Sequence, residues 1–249
     1  MPLAIIQNAL NQNIIGNVPL TSELLAPNIV RFLTSGTYTP TVNMKYVTVE
    51  MVAAGGGGGG AIATAAGQFA MGASGASGGY LNFLATAAQV GASQALTVAV
   101  ATTATAGIAG VNGGATTFGT LATVTGGTGG VASVATANFA ETSISLGGNF
   151  TLTTGTRFLA LVGENGEAST GGSANTAVYL SLRVGTGGGT PLGTGGTAVN
   201  RANTGIVGVD GMQGTGFGSG GSGSGSANGS GARIGGIGSA GIIIITEFF

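Results

Sequence analysis

The chain has 249 residues, of which 53 are Gly, six are Lys or Arg and seven are Asp or Glu; His, Cys and Trp are absent. Without His or Cys there are no imidazole bases, no imidazole or thiolate metal sites and no disulfides. A net charge of −1 with six scattered basic residues lacks the electrostatic footprint that nucleic acid requires. The composition therefore predicts neither an enzyme nor a cofactor-binding protein.

Gly-rich chains are often disordered, but disorder accompanies low hydrophobicity, and here 43% of residues are hydrophobic. Each Gly costs roughly 0.5–1 kcal/mol of extra backbone entropy on folding relative to Ala. A folded form therefore needs dense backbone hydrogen bonding, oligomerisation or both.

Residues 1–31 contain a single Gly, Gly16, and three of the five prolines, Pro2, Pro19 and Pro27. They form no long helix and read as a short extended N-terminal arm, with Thr21-Ser22-Glu23 able to cap one turn. The arm lacks the positive n-region of a signal peptide. Its apolar residues Ile5, Ile6, Ile14, Ile15, Leu24 and Leu25 are candidates for attachment to another protein.

From Phe32 the chain reads as all-β. Phe32–Tyr38 and Lys45–Val52 flank a turn expected at Thr39-Pro40-Thr41, and in the second run Val47, Val49 and Met51 share one face. Further runs lie at Tyr80–Ala85, Ala95–Val100, Thr116–Thr125, Arg157–Val162 and Ala177–Val184. Ile242–Thr246 is apolar on both faces and predicts an interior strand. The apolar run is far shorter than the ~20 residues of a membrane span, so no membrane insertion is expected.

Gly tracts separate the runs. Every third residue from Gly211 to Gly241 is Gly in eight of eleven cases, against three of ten in each other register; residues 57–78 and 107–113 repeat the pattern. A period of three matches the polyproline-II turn, and Gly in one register lets neighbouring chains approach closely. The fold expected is a β-sandwich-like body, residues 32–249, built with polyglycine-II-type helices. Residues 131–184 are strand-rich and could be an inserted β region; residues 218–231 also read as a solvated Ser/Gly linker.

Three segments together resemble the glycine-rich domain of bacteriophage tail fibres. They are Phe32–Pro40 (FLTSGTYTP), Met44–Val52 (MKYVTVEMV) with the following Gly55–Gly60, and the closing Gly241–Phe249 (GIIIITEFF). Gly78-Gly79-Tyr80 and Gly113–Gly119 (GGATTFG) add to the likeness, which covers roughly residues 30–249. The T-even-type distal fibre adhesins are a looser relative. The final strand carries Phe where the family has Trp. The resemblance implies a homotrimeric virion protein, assembled in the host cytoplasm, that reads a bacterial surface receptor, protein or glycan, through loops between Gly tracts. The arm would contact other virion proteins. A capsid decoration or head-fibre protein is the alternative.

Aromatics at the Gly tracts are the candidate receptor contacts: Phe69, Phe139, Phe150 and Phe217. Each could instead plug a gap between tracts, Phe217 above all, since it replaces Gly in its register. Glu164 and Glu167 flank Asn165-Gly166, a turn signal. As a pair they could suit a glycosidase, but they read better as solvated turn carboxylates. With one Asp in the chain, calcium is not expected.

Overall fold

The computed structural model describes residues 26–173, 180–202 and 208–249. The first sheet holds β1 (Asn28–Phe32), β3 (Tyr46–Val52), β5 (Tyr80–Thr86), β11 (Thr156–Leu161) and β16 (Ile242–Phe248), antiparallel in the order β1-β16-β3-β5-β11. The second holds β2 (Gly36–Tyr38), β6 (Gln94–Thr97), β7 (Thr116–Phe118), β8 (Ala122–Val124) and β10 (Phe150–Leu152), in the order β10-β8-β7-β6-β2. Alternation sets the faces: Val47, Val49 and Met51 of β3 are buried, while Tyr46 is exposed and Thr48 and Glu50 are half-buried. With Leu81, Phe83, Ile243 and Ile245 they join Tyr38, Leu96, Phe118 and Val124 of the second sheet in one core. Among the described residues the fold is all-β apart from α1 (Ala87–Val90), a single turn. There Thr86 Oγ1 accepts from Gln89 N–H, and Gln89 Oε1 accepts from Thr86 N–H.

A third sheet joins β9 (Ala140–Glu141), β12 (Thr170–Ser173), β13 (Leu180–Val184) and β14 (Val199–Ala202), in the order β14-β13-β12-β9. β4 (Phe69–Met71) pairs with β15 (Gly225–Ala227). Phe69, Met71, Leu182, Val184 and Ala227 form a second, smaller core there.

The Gly tracts are packed structure, not linkers: residues 55–61, 72–79 and 218–227 are buried, and the more exposed tracts 107–114 and 211–217 lie outside them. Along residues 55–61 the backbone donors turn to three neighbours in succession. Gly55, Gly58 and Ala61 donate to Ser239, Gly236 and Arg233; Gly56 and Gly59 donate to Ala76 and Ala73; Gly57 and Gly60 donate to Val111 and Ile108. Each neighbour is met again after three residues, with bonds of 2.7–3.1 Å. Residues 72–79 repeat the scheme: Gly72, Gly75 and Gly78 donate to Ser224, Gly221 and Gly218, and Ala73, Ala76 and Gly79 to Val131, Thr128 and Thr125. The third direction takes Ser74 and Ser77 to Glu167 and Glu164. The separation this allows leaves no room for a side chain. A Cβ on Gly75 would overlap the Gly56 carbonyl, and one on Gly58 would overlap that of Ser222.

Several expectations are corrected. The run Phe32–Tyr38 divides between the two large sheets, because the chain bends at Leu33–Ser35 between β1 and β2. The following turn falls at Val42-Asn43, where Asn43 takes φ 70° and Met44 N–H donates to Thr41 O (3.1 Å). Thr116–Thr125 is two strands, reversed after Phe118 through Gly119 at φ 50°. Asn28–Arg31, within the stretch expected to be an arm, belong to β1, which pairs with β16 along its whole length; residues 1–25 of that stretch lie outside the described residues. Residues 131–184 divide: β10 pairs with β8 and β11 with β5 in the large sheets, while β9, β12 and β13 lie in the third sheet. Gly218–Ala227 are buried and hydrogen-bonded, not a solvated linker. Asn165-Gly166 makes no hairpin: Gly166 exchanges backbone bonds with Ser145, and Asn165 Oδ1 accepts from Gly147 N–H (3.0 Å). The interior position of β16, between β1 and β3, is as expected.

Candidate receptor-binding surface

The antiparallel tracts carry the chain away from the large sheets and back again. Residues 53–61 leave β3, and residues 72–79 return to β5; the pairing of Gly56 with Ala76 and Gly59 with Ala73 sets loop 62–68 at the far end. Loops 104–107, 133–138 and 228–231 reach the same pole. Thr64 N–H donates to Ser230 O (3.0 Å), Gly229 N–H to Ala65 O (3.1 Å) and Gly107 N–H to Arg233 O (3.1 Å). Phe69 and Thr136 exchange backbone bonds of 2.8 and 2.9 Å. Four loops distant in sequence are thereby cross-braced into one surface. Gly67, Gly107, Asn228 and Gly229, all at positive φ, make their sharp turns.

The four loops carry no charged residue, although exposed Asp210, which accepts from Ile234 N–H (3.1 Å), and Glu141 lie beside them. Arg233 is half-buried, and Val134 (77% exposed), Phe139 (72%) and Ile234 stand out from Ala, Thr, Asn and Ser. Such a surface would bind by shape, apolar contact and hydrogen bonds, with little dependence on salt.

The four candidate phenylalanines fall in different places. Phe139 is exposed just after loop 133–138. Phe69 is fully buried in the smaller core, so its ring has no surface to offer. Phe150 is half-buried against the large core, with the Arg157 guanidinium carbon 5.6 Å from its ring centre. Phe217 packs on Val52, Tyr80 and Ile242 at the sheet end of the tracts, filling a gap as its register suggested. The attachment candidates Ile5, Ile6, Ile14, Ile15, Leu24 and Leu25 lie outside the described residues.

The acidic residues divide as well. Glu167 pairs with Arg183 (3.2 Å), both half exposed. Glu164 Oε2 accepts from Gly189 N–H (2.6 Å). Glu247 is different: it is fully buried and accepts from Tyr38 Oη (2.7 Å), Asn28 Nδ2 (2.7 Å), Thr41 N–H (2.9 Å) and Thr41 Oγ1 (2.6 Å). Burial alone would raise its pKa, but these four donors outweigh it and hold the carboxyl below the ordinary glutamate value. Burial and the Glu247 carboxylate push the Tyr38 hydroxyl well above its usual value. The site clamps β1, the β2–β3 turn and β16 together. One signal for it was present in the sequence: Glu247 stands two residues beyond Ile245 and four beyond Ile243, on the buried face of that strand.

Among the described residues no group of three or more His, Cys, Asp or Glu could hold a metal ion, and no helix is long and apolar enough to cross a membrane. The chain matches no protein-family model and no curated protein.

Proposed function

We propose that the chain is a bacteriophage tail-fibre or fibre-tip protein that recognises a host-surface receptor through the loops at the far pole of its Gly tracts. The observation that carries this reading is the three-residue hydrogen-bond step of the tracts, which holds four loops at one end. The tracts are read as polyglycine-II helices, with three residues per turn and one bond to each of three neighbours in turn. At about 3.1 Å per residue, a nine-residue tract such as 53–61 holds its loops about 28 Å from the sheets. The two five-stranded sheets are read as a β-sandwich that anchors this bundle. Loops on so rigid a base can vary in sequence without disturbing the fold, which suits an adhesin. The arm attaches the protein to the particle, and three copies assemble around one axis.

Immunogold electron microscopy of virions with antibody against this chain tests the reading. Gold at fibre or tail ends is the expected result. Gold over the head would replace it with a capsid decoration protein, and virions without gold would overturn both.

A further inference from the structure

A cavity of about 620 Å³ opens on the flank of the first sheet, between Leu161–Glu164 and residues 186–195, with Gly78 and Tyr80 behind it. Its volume lies within the roughly 300–1,000 Å³ of small-ligand sites. Its outer wall is anchored. Thr190 and Gly193 exchange backbone bonds of 2.8 and 3.2 Å around Pro191-Leu192, and Leu192 packs on the Val52–Tyr80–Ile242 cluster.

The lining is chemically selective. Gly189 N–H holds Glu164 Oε2, and among the described residues Glu164 Oε1 has no hydrogen bond; nor do Thr186 Oγ1 and Gly195 N–H. One acceptor, one donor–acceptor and one donor therefore await a partner. Leu161, Val162 and Pro191 supply an exposed aliphatic wall. Among the described residues no Lys or Arg lines the cavity, so the Glu164 charge disfavours anionic ligands. Tyr80 is almost wholly buried and its hydroxyl donates to Glu50 Oε1 (2.7 Å), which leaves no aromatic face open to an ammonium group.

We propose that this cavity binds a neutral pyranose unit of a saccharide. The sugar's C–H face rests on the aliphatic wall, and adjacent hydroxyls donate to Glu164 and bond with Thr186 and Gly195. The inference goes beyond the loop-pole reading to a separate site, and rests on that reading only for the source of the sugar, a cell-surface glycan rather than a free saccharide.

The full chain is applied to an array of neutral glucose-, galactose- and mannose-based oligosaccharides alongside amino and acidic ones, with free monosaccharides as competitors. Binding to neutral members is expected, with a loss of about tenfold or more in Glu164→Gln, since one charge-assisted bond is removed. An unchanged unfolding midpoint in that exposed variant shows that the loss is local. A second variant, Gly189→Ala, places a Cβ 3.1 Å from Glu164 Oε2 and should displace the carboxylate, weakening binding too. Preference for acidic or amino glycans, binding to no neutral sugar, or full binding by Glu164→Gln would overturn the proposal. Oligosaccharides held at least tenfold more tightly than monosaccharides indicate a surface glycan; equal affinity overturns that source. Cell adsorption by Glu164→Gln at the wild-type level would overturn the cavity's role and leave the adhesin reading standing. Array binding by a chain absent from virions would do the reverse.

Discussion

Replacing Gly75 by Ala tests the close packing of the tracts at its centre. Gly75 lies between three neighbours: its N–H donates to Gly221 O (2.8 Å), its carbonyl accepts from Gly188 N–H (3.0 Å), and its missing side chain faces Gly56. A methyl there would overlap the Gly56 carbonyl and stand 2.7 Å from Gly57 O, all of it backbone. The tracts must separate by roughly 1 Å to restore ordinary contact. Separation breaks the Gly56-to-Ala76 bond (2.8 Å) and strains those on either side. Leaving three buried backbone groups unpaired costs about 1–3 kcal/mol each, hence about 3–9 kcal/mol in all. Against this, the Ala chain gains only about 0.4–1 kcal/mol through its less flexible unfolded state. The net loss is about 2–8.6 kcal/mol, and at about 2–4 °C per kcal/mol for a chain of this size Tm should fall by about 4–34 °C. Thermal unfolding followed by circular dichroism, at fixed protein concentration, measures it. Gly231→Ala is the control: nothing lies within 4 Å of its Cβ position, and it should leave Tm unchanged or slightly raised. A Gly75→Ala protein that melts within a degree or two of wild type would refute the packing argument.

Other outcomes follow from the same structure. Glu247 has a depressed pKa, so in acid the unfolded state takes up the proton first; the stabilisation is present above the ordinary glutamate value near 4.5 and is lost as pH falls below it. Glu247→Gln should flatten that acid limb in urea unfolding and lower stability at pH 7; an unaltered limb would show that the site is not coupled to folding. Burial first, and then the Glu50 carboxylate, push the Tyr80 hydroxyl up to about 12, so the folded state keeps a proton that the unfolded state releases near 10. Stability should therefore fall as pH rises from 10 to 12, less steeply in Tyr80→Phe. Phe139→Ala should change stability by under about 0.5 kcal/mol while reducing adsorption to host cells, whereas Phe69→Ala should cost about 3–5 kcal/mol. Adsorption unaffected by Phe139→Ala removes that ring from the binding surface. Sedimentation of the full chain should give three copies, and a monomer would refute the trimer.

Much of the architecture was legible in the sequence because it depends on local rules. Val47, Val49 and Met51 alternate with Tyr46, Thr48 and Glu50, which is enough to give β3 a buried and an open face. The four isoleucines of β16 call for an interior position, and it lies between β1 and β3. The every-third-residue Gly register marks where neighbouring backbones touch: Gly220, Gly223, Gly235 and Gly238 all face carbonyls that a Cβ would overlap. The candidate site was less legible. Phe69, Phe139, Phe150 and Phe217 stand in similar Gly/Ala/Thr surroundings, yet one is core, one is exposed, one leans on the large core and one seals the end of the tracts.

The sequence by itself determined the all-β class, the faces of the clearest strands, the absence of His and Cys side chains and the three-residue Gly register along residues 211–241. Periodicity and composition are properties of a few consecutive residues, and those suffice for such conclusions. Only the tertiary structure decided which tract lies beside which, that loops 62–68, 104–107, 133–138 and 228–231 meet at one pole, and that Glu247 is buried among Asn28, Tyr38 and Thr41. Those partners are more than 200 residues from Glu247 along the chain. A Gly tract presents much the same backbone donors and acceptors to every neighbour. The order of the bundle must therefore come from the strands and turns at its ends, which act together only once the whole chain has folded.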